Sequence, residues 1–243
     1  MGKEIGMRLS KRLEMVASFV ERGSRVADIG TDHGFLPIVL VERGICPCAL
    51  AMDVREGPLK RAREHVREHG LDGKVECRLS DGLAKLKPGE ADTAVMAGMG
   101  GELIVHILEQ GRDMWEHLRR VVLSPQSEMD KVRRYLEEEG FSIEREDMVV
   151  EDGKFYVVMG VGRGRMKLSG QAQYLYGKRL IEERNPVLAR FLLKEEERIR
   201  AIFDGFGERD TDKVRQAKRE LAQQLEWIKE AQDEMQGNYR AAE

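Results

Sequence analysis

From Arg25 to Gly162 the chain alternates short apolar runs with amphipathic stretches, and no other feature narrows its fold as much. The runs Arg25–Ile29, Ala49–Val54, Lys74–Leu79, Ala91–Ala97 and Arg119–Leu123 read as strands. Between them, Phe35–Arg43, Gly57–His69 and Glu102–Gln110, with a short piece near Trp115, read as helices. This order predicts strand–helix–strand units wound around a parallel sheet. A helix over Ser10–Glu21 opens the chain, and another over Glu128–Glu139 is stopped by Gly140. Two further strands, Ser142–Val150 and Lys154–Gly162, have no helix between them, and Glu151-Asp152-Gly153 predicts a tight hairpin turn. Beyond Arg165 the pattern becomes wholly helical, which divides the chain into 1–165 and 166–243. Val214, Leu221, Ile228 and Met235 recur every seven residues, with Ala217, Gln224 and Ala231 between them, a heptad seam. An upstream helix over Val187–Phe203, a break at Asp204-Gly205-Phe206-Gly207 and the seam helix over 213–235 predict an antiparallel hairpin whose arm is roughly 35 Å long. Pairing of two copies through the seam is the competing reading.

The chemistry concentrates where the strands end. In Val26-Ala-Asp-Ile-Gly-Thr-Asp-His-Gly-Phe-Leu-Pro37 a strand ends in Asp28 and turns through Gly30 and Gly34 into a helix. A dinucleotide fingerprint has glycine at the middle position, where this chain has Asp32. A carboxylate there repels a pyrophosphate and suits a cationic ligand. S-adenosylmethionine, with its sulfonium and ammonium, is such a ligand. Asp53 ends the second strand 19 residues after Gly34, placed to accept ribose hydroxyls, and Asp81 follows the third, placed to accept an exocyclic amine. The fourth strand runs into Met96-Ala-Gly-Met-Gly-Gly101, whose small residues either leave room for a flat ring or pack strand against helix. The fifth ends in Leu123-Ser-Pro-Gln126, where Pro125 sets the turn and the Gln126 amide offers donor and acceptor to a base edge.

The phrases SKRLEMVASFV, ADIGTDHGFLP, DVREGPLKRA, RLSDGL, ADTAVMAGMGGELIVHILE, LSPQ and EDGKFYVVMG, in unbroken order, resemble the TrmK family of bacterial tRNA adenine-N1 methyltransferases that act at position 22. The resemblance implies a class I Rossmann-like methyltransferase, an α/β fold with a seven-stranded, mostly parallel sheet. It also implies a C-terminal, coiled-coil-like helical domain that helps to hold tRNA. S-adenosyl-L-methionine is the cofactor it implies, with Asp28, Gly30, Thr31, Asp32, Gly34, Asp53, Val54, Asp81, Gly82, Ala97, Gly98, Met99 and Gly100 as the residues around it. The chain departs from the family's usual pattern at Thr31, Gly34, Asp53 and Ser124-Pro125-Gln126, where Ser, Ala, Glu and a glutamine-proline-asparagine run are usual. Gln126 keeps an amide but moves it out by one methylene.

For methyl transfer to adenine N1 the candidate catalytic residues are Asp32, His33 and Gln126, with Pro125 and Gln126 at the acceptor base. Asp32 has a second reading, as partner of the methionine ammonium, and His33 a second as a helix-entry residue. The candidates for tRNA contact are Arg8, Lys11 and Arg12, then Arg163, Arg165 and Lys167, and on the arm Lys213, Arg215, Lys218 and Arg219. The charges nearly cancel, 41 basic against 44 acidic, with 15 of each beyond residue 165, so neither part is a polycationic grip for any RNA. A small-molecule methyltransferase, a non-catalytic RNA-binding protein and a nicotinamide-dependent dehydrogenase are the rival readings, the last disfavoured by Asp32. His65 and His69 have the i, i+4 spacing of metal ligands, but neighbouring arginines favour a solvated face, and no metal is expected. The longest stretch free of charge is ten residues, Leu168–Gly177, too short for a membrane span. Three cysteines make no disulfide framework, and the N-terminus lacks a signal-peptide pattern, so a reduced cytoplasmic protein is expected, a monomer or a weak dimer through its C-terminal helices.

Overall fold

The computed structural model describes residues 7–207, 209 and 211–237. The chain forms two compact units, Met1–Met166 and Lys167–Glu243. In the first, strands β1 (Val26–Ile29), β2 (Ala49–Asp53), β3 (Val75–Leu79), β4 (Thr93–Ala97) and β5 (Arg120–Ser124) are joined by helices α2 (Phe35–Glu42), α3 (Glu56–Glu68) and α4 (Gly101–Gln110), with a 3-10 turn at Arg112–Met114 before β5. Helix α1 (Lys11–Ser18) precedes them, and α5 (Met129–Glu138), β6 (Phe141–Glu151) and β7 (Lys154–Arg163) follow. The sheet order is β3-β2-β1-β4-β5-β7-β6. β1 to β5 are parallel, and β7 lies antiparallel to both β5 and β6. This is the seven-stranded, mostly parallel, Rossmann-like methyltransferase fold that the sequence predicts, with the hairpin turning at Asp152 and Gly153, both at positive φ.

The local sequence explains the layering. β1, β2 and the first four residues of β4 are buried along their length because helices cover both sheet faces. α2 is apolar nearly all round and buries six of its eight residues, while amphipathic α3 buries only Pro58, Leu59, Ala62 and Val66. Val26, Ala49, Val95, Val122 and Val158 of the sheet share one buried cluster with Val16 and Phe19 at the opening helix and Leu36 and Leu40 of α2. Beneath α5, Arg133 and Glu146 form an ion pair with neither side chain exposed beyond 1%; Nη2 and Nε of Arg133 donate to one Glu146 oxygen at 2.9 and 3.1 Å. Because β4 lies on the far side of β1 from β2, the chain reverses direction across the sheet there. That switch point opens a crevice at the carboxyl ends of β1 and β4.

The second unit holds α6 (Gln171–Tyr176), α7 (Lys178–Glu182), α8 (Pro186–Phe206) and α9 (Asp212–Gln236). It departs from a bare hairpin in three ways. The short helices α6 and α7 pack on α9 alongside α8, and the buried Gln173 bridges the Ser169 amide and Glu234. Only the second half of the heptad seam is buried, at Ile228, Ala231 and Met235, while Val214 and Leu221 remain half-exposed. The expected break at Asp204-Gly205-Phe206-Gly207 is helical as far as Phe206 and ends at Gly207. Gly205 lowers helix stability by only about 1 kcal/mol. The Phe203 and Phe206 rings meet edge to face, and the Arg209 guanidinium donates to the terminal carbonyls of Gly205 and Phe206. Among the described residues no helix is long and apolar enough to cross a membrane.

Candidate active site

The turn after β1 is held by β2. The amides of Gly30 and Thr31 both donate to the Met52 carbonyl, at 2.8 and 2.9 Å. Gly30, His33 and Gly34 all have positive φ, so the chain reverses within five residues and enters α2 with Gly34 as a left-handed N-cap. His33 is not glycine, and a left-handed conformation costs such a residue about 1–2 kcal/mol. Two contacts hold it there. His65 of α3 brings Nδ1 to 2.8 Å from the His33 carbonyl, and the rings of His33, Phe35 and His65 lie nearly parallel with centroids 5.2–5.8 Å apart. His65 therefore braces this turn instead of sitting on a solvated face, and the signal for it, an i, i+4 histidine pair, had pointed elsewhere.

The acids at the strand ends divide by burial. Asp28 and Asp53 are buried, whereas Asp32 keeps 80% of its side chain exposed and Asp81 is exposed. Burial pushes the Asp28 carboxyl up from 3.8 to about 6; the nearby Thr31 hydroxyl pulls the other way, and the Asp53 and Asp32 carboxylates add to the rise. Thr31 Oγ1 itself is buried and stops short of hydrogen-bond geometry with any partner among the described residues. Asp53 accepts the Arg55 amide at 2.7 Å. Two large apolar side chains stand in water at the neighbouring strand ends, Val54 at 60% and Leu79 at 50% exposure, and Asp53 is in register with Leu79. Leu79 escaped the sequence reading because a strand leucine is ordinarily core. Gly82 turns out to be a packing position: a Cβ there would lie 2.8 Å from Ile107 of α4.

At β4 and β5 the two loops are laced together. Gly98 donates to the Ser124 carbonyl at 3.1 Å, Gln126 to that of Met99 at 2.9 Å, and Gly101 to that of Ser127 at 3.0 Å. Met99 lays its thioether across the β1 turn, with Sδ 3.1 Å from the point a Gly30 Cβ would occupy. Ala97, Gly98, Met99 and Gly100 remain half-exposed, while Gly101 is buried against the carbonyls of Ser127 and Glu128. The open-ring and close-packing readings of this segment thus apply to different residues. Pro125 is buried and Gln126 exposed. The Arg12 guanidinium reaches the same place: Nη1 is 3.0 Å and Gln126 Nε2 3.7 Å from the position of a Gly98 Cβ.

Arg8 and Lys11 are exposed on and before α1. Arg163 lies over the rings of Phe141 and Trp115, 4.5 and 5.1 Å from their centroids, and Arg165 and Lys167 are exposed. On the arm, Arg215 pairs with Asp212, Arg219 donates to Gln216 and Lys218 lies over Phe206. His69 pairs with Glu42, and no group among the described residues could hold a metal ion. Burial raises the Cys46 thiol to about 12 and also lifts that of Cys77, the opposite of an activated thiolate. The crevice as a whole suits a nucleoside carrying positive charge: apolar side chains for a flat ring, and buried acids for hydroxyls and a cation.

Comparison with known proteins agrees with this chemistry. A family model described as a methyltransferase domain matches residues 9–159. The tRNA (adenine(22)-N(1))-methyltransferase of Bacillus subtilis is 35% identical over 93% of this chain and 98% of its own length. The crystal structure of the B. subtilis m1A22 tRNA methyltransferase TrmK superposes with a TM-score of 0.81 at 35% identity, covering 92% of this chain and 98% of that one. Streptococcus pneumoniae Sp1610, solved in complex with S-adenosyl-L-methionine, gives 0.83 at 37% identity over 92% and 99% of the two chains. With a methyltransferase crevice at the switch point and relatives matched along nearly their whole length, this chain belongs to the TrmK family of tRNA (adenine(22)-N(1))-methyltransferases.

Proposed function

We propose that this protein transfers the methyl group of S-adenosyl-L-methionine to N1 of an adenine in tRNA, at position 22. The observation that carries this reading is the gathering of buried Asp28 and Asp53 with exposed Val54 and Leu79 at one end of the crevice, and of Gln126 beside Gly98 at the other. When bound, the cofactor supplies an electrophilic methyl on its sulfonium. Asp53 would take the ribose hydroxyls, Val54 and Leu79 would offer apolar surface to the cofactor's adenine, and Asp81 would accept its amine. Asp28 balances the cationic amino-acid end, beside the turn of Gly30, Thr31 and Gly34.

Adenine N1 has a lone pair, so the residues need not create a nucleophile. They must hold the ring in line and stabilise the positive charge that grows on it. N1 also lies on the base-pairing edge, which requires an unpaired or extruded base. Asp32 fits this task better than Asp28 because it is exposed, and His33 Nε2 lies 3.3 Å from its Oδ1. Its carboxylate faces the cationic ring and accepts the N6 proton, which becomes more acidic after transfer. Gln126, exposed beyond buried Pro125, reads the adenine edge. Arg8, Lys11, Arg163, Arg165 and Lys167, with the basic residues of α9, meet tRNA phosphates, and the helical unit acts as the holding arm. Half-exposed Val214 and Leu221 leave at most a weak self-pairing seam, so the protein works as a monomer or weak dimer in the cytoplasm.

The test is incubation of the protein with labelled S-adenosyl-L-methionine and unmodified tRNA, followed by digestion and nucleoside identification. Labelled 1-methyladenosine is expected, with reverse transcription arresting opposite position 22. Absence of label from RNA, or label on another nucleoside, overturns the proposal.

A further inference from the structure

We infer that Glu128 is a positioning residue for the acceptor base: it clamps the loop that carries Gln126 to the first turn of α4, and so sets where the Gln126 amide stands. The inference rests on the methyl-transfer reading and extends it to a residue outside the sequence phrases that mark the family.

Glu128 is strained where it stands. It opens α5 as the N-cap with φ at +48°, in the left-handed region that disfavours a residue with a Cβ. An N-cap ordinarily has extended backbone and gives a side-chain oxygen to the amides of its own helix. Glu128 does neither, for its side chain makes no capping hydrogen bond to α5. Its carboxylate instead accepts the Ser127 hydroxyl and is turned toward α4, with Oε2 3.5 Å from the position a Gly100 Cβ would occupy. The Ser127 hydroxyl, and after it the amides of Glu102 and Gly101, hold the Glu128 carboxyl below the usual carboxylate range, and the Lys131 charge adds to this. Gly100 is the N-cap of α4 and has no side chain to offer those amides. The carboxylate of the neighbouring loop takes the place of that cap, at the positive end of the helix.

Two glycines permit the approach. A Cβ at Gly100 would lie 3.1 Å from Ser127 Oγ, and one at Gly101 would lie 2.6 Å from the carbonyl oxygens of Ser127 and Glu128. The Gly101 amide donates to the Ser127 carbonyl at 3.0 Å, so the loop meets α4 through backbone and side chain together. One residue separates Glu128 from Gln126, whose own amide donates to the Met99 carbonyl at 2.9 Å. Gln126 is exposed, with Nε2 3.7 Å from the position of a Gly98 Cβ, so its side chain reaches along the half-exposed β4 loop. Lys131, one turn along α5, pairs with Glu102, so an ion pair with Lys131 is not what keeps Glu128 in place. Strained backbone persists only where its surroundings over-determine it. With the carboxylate removed, the left-handed turn is free to relax, and a change of φ two residues away displaces Gln126. Methyl transfer tolerates little of that, since a misplacement of about 1 Å can cost on the order of 100-fold in rate.

Steady-state methyl transfer to unmodified tRNA by the full-length protein tests this, with cofactor affinity from calorimetry and stability from urea unfolding. Glu128→Gly removes the clamp and the strain together, so it should unfold near the parental urea midpoint. Its kcat should fall roughly 10-fold or more, while KM for tRNA and the affinity for S-adenosylmethionine stay within about 2-fold. Glu128→Gln keeps an oxygen for the α4 amides and should recover part of kcat. Because Glu128 acts through Gln126, adding Glu128→Gly to Gln126→Ala should cost no more than Gln126→Ala alone. Parental kcat in Glu128→Gly overturns the inference. So does a loss that multiplies with that of Gln126→Ala, or a Gln126→Ala variant with parental turnover. Lower stability accompanied by weaker cofactor binding, which is what a merely structural role gives, overturns it as well. An unsubstituted protein that binds S-adenosylmethionine and methylates no tRNA would count against the methyl-transfer reading itself, and the inference would fall with it.

Discussion

Replacing Asp28 by asparagine should make the ligand-free protein more stable and a worse binder of its cofactor, with both effects depending on pH. The carboxyl is buried on β1, the strand that runs between β2 and β4, and burial lifts it from 3.8 to about 6. At 1.36 kcal/mol per pH unit, holding it ionised inside the protein costs about 3 kcal/mol. The direction follows from proton linkage. The folded protein binds this proton more tightly than the unfolded chain does, so the group's contribution is neutral below about pH 4. Its contribution turns unfavourable as pH rises toward 6 and stays so above that. Asparagine has the same shape and no charge, so Asp28→Asn removes the penalty at pH 8 and changes little at pH 4. The amide has its own unmet hydrogen bonds, so a net gain of about 1–3 kcal/mol is expected at pH 8. A gain of about 2 kcal/mol corresponds to roughly 4–8 °C in Tm for a unit of this size. The assay is paired thermal or urea unfolding of the ligand-free protein and the variant at both pH values. In calorimetry the parent's affinity for S-adenosylmethionine should rise as pH increases through about 6, and that of the variant should be weaker and flat. A variant no more stable at pH 8, or one with the same stability change at both pH values, would refute the buried-charge argument.

Other substitutions probe separate parts of the site and fold. Asp32→Ala should reduce methyl transfer to tRNA far more than Asp81→Ala, with cofactor binding retained in the first and weakened in the second; near-parental turnover of Asp32→Ala removes it from the reaction. Gly101→Ala drives a Cβ to 2.6 Å from the carbonyl oxygens of Ser127 and Glu128, which a backbone cannot yield cheaply. It should lose about 3 kcal/mol or more by urea unfolding, while Gly73→Ala, with open space around it, stays within about 0.5 kcal/mol. Arg133→Ala leaves Glu146 charged in the interior and should destabilise by about 3–5 kcal/mol, most of it recovered when Glu146→Leu is combined with Arg133→Met. Equal losses in the single and combined variants would show that the pair is not what holds α5 to the hairpin.

What the sequence determined by itself is whatever depends on neighbours along the chain. Apolar runs and helical spacing marked the seven strands, and Asp152-Gly153 marked the hairpin because its backbone requirement lies within the turn. The β1 turn was legible for the same reason, since Asp28, Gly30, Asp32 and Gly34 alternate within seven residues of one tight reversal. What only the tertiary structure decided is burial and aim, which are set by segments distant in sequence. Asp28 and Asp32 are four residues apart and equivalent as acids, yet the first is buried on a strand in the middle of the sheet while the second projects into water. Gly82 reads as a cofactor-pocket residue, and Gly101 as one of the small residues that either leave room for a ring or pack strand against helix, until Ile107 and the Ser127–Glu128 backbone arrive against them. The heptads of α9 have one period throughout, but α6 and α7 cover it only in part, leaving Val214 and Leu221 half-exposed. Arg12 shows the difference most plainly: in sequence it is one of three basic residues near an opening helix. The hairpin that fastens α1, some 140 residues further along the chain, accompanies a guanidinium turned inward to Gly98, with Nη1 sealed from solvent.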